Sequence, residues 1–196
     1  IFKKDIKISK ETLSEFKRSI IFENDDFIVL NKWSRIATQG GSKIKTSIDH
    51  IIKNINLHYR LVHRLDKETS GLLLIAKNLN YAKKLSFLFK QKEITKFYIA
   101  LCEGIPKNNV SKVKLEIKTK KLKTEDTLTN YKVLNKNKSI SSILFNPQTG
   151  KTHQLRIVSK NLGCPIIGDK KYNLYSKYKK ENLMLHAFAL RFTINK

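Results

Sequence analysis

Strict alternation from Val113 to Lys118, with Val113, Leu115 and Ile117 set against Lys114, Glu116 and Lys118, constrains this chain more than any other pattern in it. A period of two fits a strand with one face in a core and the other in water. Similar short runs recur. IIFENDDFIVLNKW sets two of them around Asn24-Asp25-Asp26, LLLIA follows Gly71, and KFYIALCEG is closed by Gly104 and Pro106. Leu128 to Leu134 and Ser139 to Phe145 flank the polar turn Asn135 to Lys138, and LMLHAFALRF reads as a last strand. Helical spacing is rarer: Thr46 to Asn56 with a hydroxyl cap, Asn80 to Gln91, a polar stretch from Ser9 to Ser19, and His153 to Leu162, started by Thr152 and stopped by Gly163 and Pro165. Many hairpin-linked strands and few helices predict an α+β domain with a mostly antiparallel sheet, not a doubly wound parallel one. Residues 1–19 read as a leader segment and 20–196 as the domain.

Charge narrows the partner. Forty Lys and Arg stand against sixteen Asp and Glu, a formal net charge of +24, which favours a polyanion and above all nucleic acid. Lys, Asn and Ile are abundant throughout, so part of the lysine content is compositional. Cys102 and Cys164 lie far apart without a C-x-x-C pair, against a zinc site or a disulfide framework, and fit a reducing cytoplasm. No apolar run approaches the ~20 residues that span a bilayer. The first residue is Ile, so an upstream segment is expected.

The stretch RLVHRLDKETSGLLLIAK, Arg60 to Lys77, concentrates chemistry. Asp66 sits between Arg64 and Lys67, ahead of Gly71 and of a buried strand, so a carboxylate is held in a loop at a strand's entrance. Alone, such an aspartate could equally pair with Arg64 or cap the Thr69 turn. Further on, PQTGKTHQLRIVSKNLGCPIIGDKKY carries a tight turn at Gly150 and a helix start beside Lys151, His153 and Gln154 that could seat a phosphate.

HRLDKETSG matches, over nine consecutive positions, the signature HRLD-x-x-TSG, and by it the chain resembles the RluA-type pseudouridine synthases. TGKTHQLR resembles the family's TGRTHQ-hydrophobic-R, with Lys151 for the usual Arg, and PIIGDKKY its Pro-hydrophobic-hydrophobic-Gly-Asp-x-x-Tyr. KFYIA resembles Lys-x-Tyr-x-Ala, and the opening hairpin its Asn-Lys-Pro-x-Gly, with Trp33 in place of Pro and Arg35 in place of Gly. Lys151 keeps the charge of Arg but not its bidentate geometry. His186 resembles a terminal Leu-His-Ala element and also reads as a core histidine.

The resemblance implies a pseudouridine-synthase-like fold, α+β, its mixed sheet flanked by helices and loops with an active-site cleft across the sheet. It implies isomerisation of specific uridines in RNA, an intramolecular transfer that uses no metal or coenzyme. Asp66 takes the role of essential carboxylate, Arg156 that of its cationic partner, and Tyr98 that of the phenol beside the base. Arg64 matches the arginine that fills the stack vacated by a flipped-out nucleotide. His63, Thr69, Lys151, His153 and Gln154 are the further expected RNA contacts. Gly40-Gly41 and the overall pattern look most like the branch that acts on large-subunit ribosomal RNA, in a monomeric cytoplasmic enzyme. Transfer RNA as target, or a non-catalytic RNA-binding or ribosome-assembly module on the same scaffold, remain the alternatives.

Overall fold

The computed structural model describes residues 8–41, 44–118 and 123–194. The lysine cluster Lys118 to Lys123, whose composition reads as a solvated loop, lies outside the described residues from 119 to 122. The chain folds as two compact units, one up to Glu93 and one from Ile94 to Thr193.

In the first unit α1 (Lys10–Arg18) is capped by Ser9, whose hydroxyl accepts from Thr12 N–H. Thr12, whose spacing to Glu15 reads from the sequence as a capping box, therefore lies inside the helix instead of starting it. The supposed leader also contributes a buried residue, Phe16. β1 (Ile20–Glu23) and β2 (Phe27–Lys32) form the expected hairpin, and Asn24 Oδ1 accepts from the N–H groups of Asp26 and Phe27. α2 (Ile48–Ile55), capped by Ser47, buries Ile48, Ile51 and Ile52 but leaves Ile55 exposed. β3 (Arg60–Leu61), β4 (Ser70–Ala76) and α3 (Leu79–Lys90, capped by Asn78) complete the unit. β4 pairs antiparallel with both β2 and β3. The period that buries Ile28 and Leu30 opposite Ile75 and Leu73 carries on to Lys32, opposite Gly71. A lysine thus occupies a core position, 0% exposed.

The second unit is built from β5 (Thr95–Glu103), β6 (Val110–Lys118), β7 (Thr124–Lys136), β8 (Ile140–Pro147), α4 (Gln154–Asn161) and β9 (Leu185–Arg191). Its strands run β9-β5-β8-β7-β6, all antiparallel, as the hairpin spacings predict. One face meets α4: Ala100, Cys102, Tyr131, Ile143 and Phe145 pack with Leu155 and Val158. Ile143, Phe145, Leu155 and Val158 each contribute about 1.5–3 kcal/mol of apolar burial. Cys102 and Cys164, distant in sequence, share this core as free thiols, and the hydrogen bond between them together with burial pushes the Cys102 thiol well up.

Candidate functional site

Asp66 sits half-buried in the loop between β3 and β4, opening a turn in which its carbonyl accepts from Thr69 N–H. Three side chains tie that loop down. The Lys32 ammonium donates to the carbonyls of Trp33, Ile36 and Lys67 at 3.0, 3.0 and 3.3 Å. Burial lowers its pKa to about 8, against the opposing pull of Glu68 and Asp66. Ser34 Oγ donates to Glu68 O at 2.7 Å. Thr38 Oγ1 donates to Leu65 O and accepts from Leu65 N–H, so one buried hydroxyl holds both polar ends of the residue before Asp66.

The flanking residues divide into inner and outer ones. Arg64 is exposed and reaches Gln39 Oε1 over a long 3.4 Å. His63 turns inward: Nε2 accepts from Leu74 N–H at 2.9 Å and the ring stacks on Phe89 at 4.3 Å. That bond places the ring proton of a neutral imidazole on Nδ1. Thr69, expected to face RNA, is only 3% exposed. Trp33 is half-buried, and Arg35 takes φ 69°, a left-handed conformation that glycine adopts without strain and that accounts for Gly being usual at this place in the motif.

In the second unit Tyr98 lies on β5 between Phe145 of β8 and Ala187 of β9, half-buried on the face that meets α4. Arg156, in the first turn of α4, is 5% exposed. Its Nε and Nη2 both donate to the Asp169 carboxylate at 2.7 Å, and the guanidinium lies 5.1 Å from the Tyr172 ring centre. Asp169 also accepts from the N–H groups of Lys171 and Tyr172. Burial pushes its pKa up, but these four donors outweigh that and hold it below the ordinary carboxylate value. Tyr172 meets His153 edge-on, with its hydroxyl 3.1 Å from Nδ1.

The start of α4 differs from the expected Thr152 cap. His153 is the N-cap residue, at φ 58°, and makes no side-chain cap. Gln154 does the fastening, 4% exposed: its Oε1 accepts from Thr149 Oγ1 and Lys151 N–H, and its Nε2 donates to Leu128 O and Thr129 Oγ1. An amide with all four capacities engaged inside the protein is a strut, not the RNA contact expected of it. Lys151 is more accessible and pairs with Glu125 at 3.0 Å. Sequence reasoning gave no role to Lys32, Thr38, Asp169 or Tyr172, although Lys32 continues the alternation of Ile28 and Leu30 and so carried a signal.

A family profile described as RNA pseudouridylate synthase matches residues 26–161. The chain belongs to that family. The match takes in Lys32, Asp66, Tyr98 and Arg156. The ribosomal large subunit pseudouridine synthase C of Rickettsia prowazekii is 43% identical over 203 aligned residues, which cover 93% of this chain and 65% of the relative. The chain thus spans about two thirds of the length of such curated relatives. Among solved structures, human RNA pseudouridylate synthase domain containing 1 is 28% identical, with TM-score 0.76 over 89% of this chain and 78% of that one. Human RNA pseudouridylate synthase domain containing 4 shares the fold at 24% identity, TM-score 0.80, over 92% of this chain and 86% of that one.

Proposed function

We propose that this family member isomerises specific uridines to pseudouridine in RNA, with large-subunit ribosomal RNA as the target, as the names of its relatives suggest. The observation that carries the reading is the Asp66 loop, in which Lys32, Ser34 and Thr38 fasten the backbone on both sides of one half-buried carboxylate. In this reading the ionised Asp66 attacks C1′ or stabilises the positive charge that develops there as the bond to N1 breaks. The uracil turns within the site, C5 joins C1′, and the C5 proton is lost while N1 gains one. The family resemblance gives Arg156 the role of the cation that serves such a carboxylate. Tyr98 lies against the base and takes part in the C5 proton transfer. Arg64 enters the stack left by the extruded nucleotide, whose unstacking costs a few kcal/mol recovered from phosphate contacts.

Incubation of the purified chain with a large-subunit rRNA transcript, followed by carbodiimide-dependent primer extension, tests the reading. Asp66→Asn abolishes modification while RNA affinity stays within about tenfold of wild type. Parallel loss of both would instead indicate a module that only binds RNA.

A further inference from the structure

The sheet of the second unit has a second face, turned away from α4, and its register assembles a distinctive row on it. Val110 pairs with Lys132, Lys132 with Leu144, Leu144 with Ile99 and Ile99 with His186, so one line of side chains crosses all five strands. Beside it run Lys112, Asn130 and Asn146, then Lys114 opposite Leu128. The buried face takes the alternate residues: Val113, Leu115, Tyr131, Ile143 and Phe145. Among the described residues α4 is the only helix of this unit, and it packs on that buried side. Leu101 and Phe188, in contrast, are 41% and 54% exposed.

The charges on this face are unusual in their company. Lys112 and Lys114 are two residues apart on β6, roughly 7 Å along a strand. Lys132 is the diagonal neighbour of Lys112, again roughly 7–8 Å away. All three are exposed, and no hydrogen bond or ion pair to a described residue engages any of them. Glu116, two residues beyond Lys114 on β6, and Asp126, the diagonal neighbour of Lys114 on β7, stand beside Lys114, whereas Lys112 and Lys132 have, among the described residues, only each other, Lys114, amides and apolar residues around them on this face. Lys112 and Lys132 repel as diagonal neighbours with no acid beside them, so the end of the face that they share with Lys114 favours an anion lying across it. Next to the trio stand amides, and at the far side of the sheet, in the bulge of β9 that leaves it without a register partner on β5, stands exposed Phe188. Cations, amides and a ring on an open antiparallel sheet are the means by which single-stranded RNA is held, the phosphates on the cations and the bases on the ring.

We propose that this face is a second RNA-contact surface, on which Lys112, Lys114 and Lys132 hold backbone phosphates of single-stranded RNA flanking the modified nucleotide and Phe188 stacks a base. The proposal rests on RNA being the substrate, and names where on the molecule an additional segment of it lies.

Salt-dependent binding separates the possibilities. A labelled large-subunit rRNA transcript is titrated between 50 and 200 mM salt with the wild type, K112Q/K114Q/K132Q, Phe188→Ala, and a control, K17Q/K83Q/K90Q, which removes as many lysines from the helices of the first unit. Each single-stranded phosphate contact contributes about 0.7 to the slope of log affinity against log salt. The triple variant therefore loses about 2 from that slope, whereas the control changes it by less than 1. Phe188→Ala weakens binding about tenfold at every salt concentration, because stacking does not release counterions. An unchanged slope in the triple variant, or a change no larger than the control's, overturns the proposal. So does a change of oligomeric state in place of RNA affinity, which would make the face a contact between copies. Exposed Lys→Gln changes leave folding intact, and Phe188→Ala supplies an independent reading. A wild-type chain that neither binds nor modifies RNA sinks the functional reading itself, whereas modification with an unaltered triple variant overturns only this surface.

Discussion

Replacing Lys32 by Met should destabilise the chain by an amount that grows with pH. At pH 7 the ammonium is fully buried and donates to three backbone carbonyls. Bonds to a charged group contribute roughly 1.5–3 kcal/mol each. Against them stands desolvation: lowering the pKa from 10.5 to about 8 corresponds to about 3 kcal/mol at 1.36 kcal/mol per tenfold change. The net loss on substitution is then about 1.5–6 kcal/mol, with the carbonyls of Trp33, Ile36 and Lys67 left without their donor. Below pH 8 the lysine is charged in both folded and unfolded chains. Between pH 8 and 10.5 the unfolded chain still holds the proton that the folded chain has released, so a rise in pH favours the folded state. Urea unfolding at pH 7, 8, 9 and 10 measures this, followed by circular dichroism and by the fluorescence of Trp33, the sole tryptophan and Lys32's neighbour. The stability difference between wild type and variant should widen by about 3 kcal/mol across the window. A difference that stays flat, or narrows, refutes a buried charged lysine as the fastening of the Asp66 loop.

Asp169→Asn removes the charge that meets Arg156 in a buried fork and should cost about 3–5 kcal/mol at pH 7. Because the folded carboxyl titrates below its ordinary 3.8, its contribution is present above that value and lost as pH falls through the folded pKa, so the penalty measured by urea unfolding shrinks under acid. Gly168 precedes it at φ 75°, and an added Cβ would lie 2.0 Å from Asn182 O. Gly168→Ala should therefore lower the thermal midpoint by many degrees, from a loss of roughly 3 kcal/mol or more, and a shift under about 2 °C would show that the backbone yields there.

The strands were legible because their alternation is a local property: Val113, Leu115 and Ile117 announce β6 without help from any other segment. The helices were legible to within a residue or two, and their caps were not. Ser9 caps where Thr12 and Glu15 suggested a box, and Gln154 replaces Thr152 because its amide finds partners on β7, a tertiary fact with no trace in spacing. Of the candidate site, the HRLD and THQ-x-R motifs mark Asp66 and Arg156, but not what holds them. Asp169 meets Arg156 across 13 positions that leave α4 after Asn161, and Thr38 reaches Leu65 across 27. Such pairs depend on how loops close, which periodicity does not record. Thr69 and Gln154 show the complementary error: a polar residue in a functional motif was expected to face outward, whereas both serve the interior.

Thr38 has a consequence for the carboxylate next door. With both amide poles of Leu65 closed onto one hydroxyl and its isobutyl group sunk in the core at 5% exposure, that residue keeps a single backbone setting. Asp66 therefore begins from a stationary peptide. Most of the entropy of aiming that group is surrendered during folding, once, and not again at every turnover.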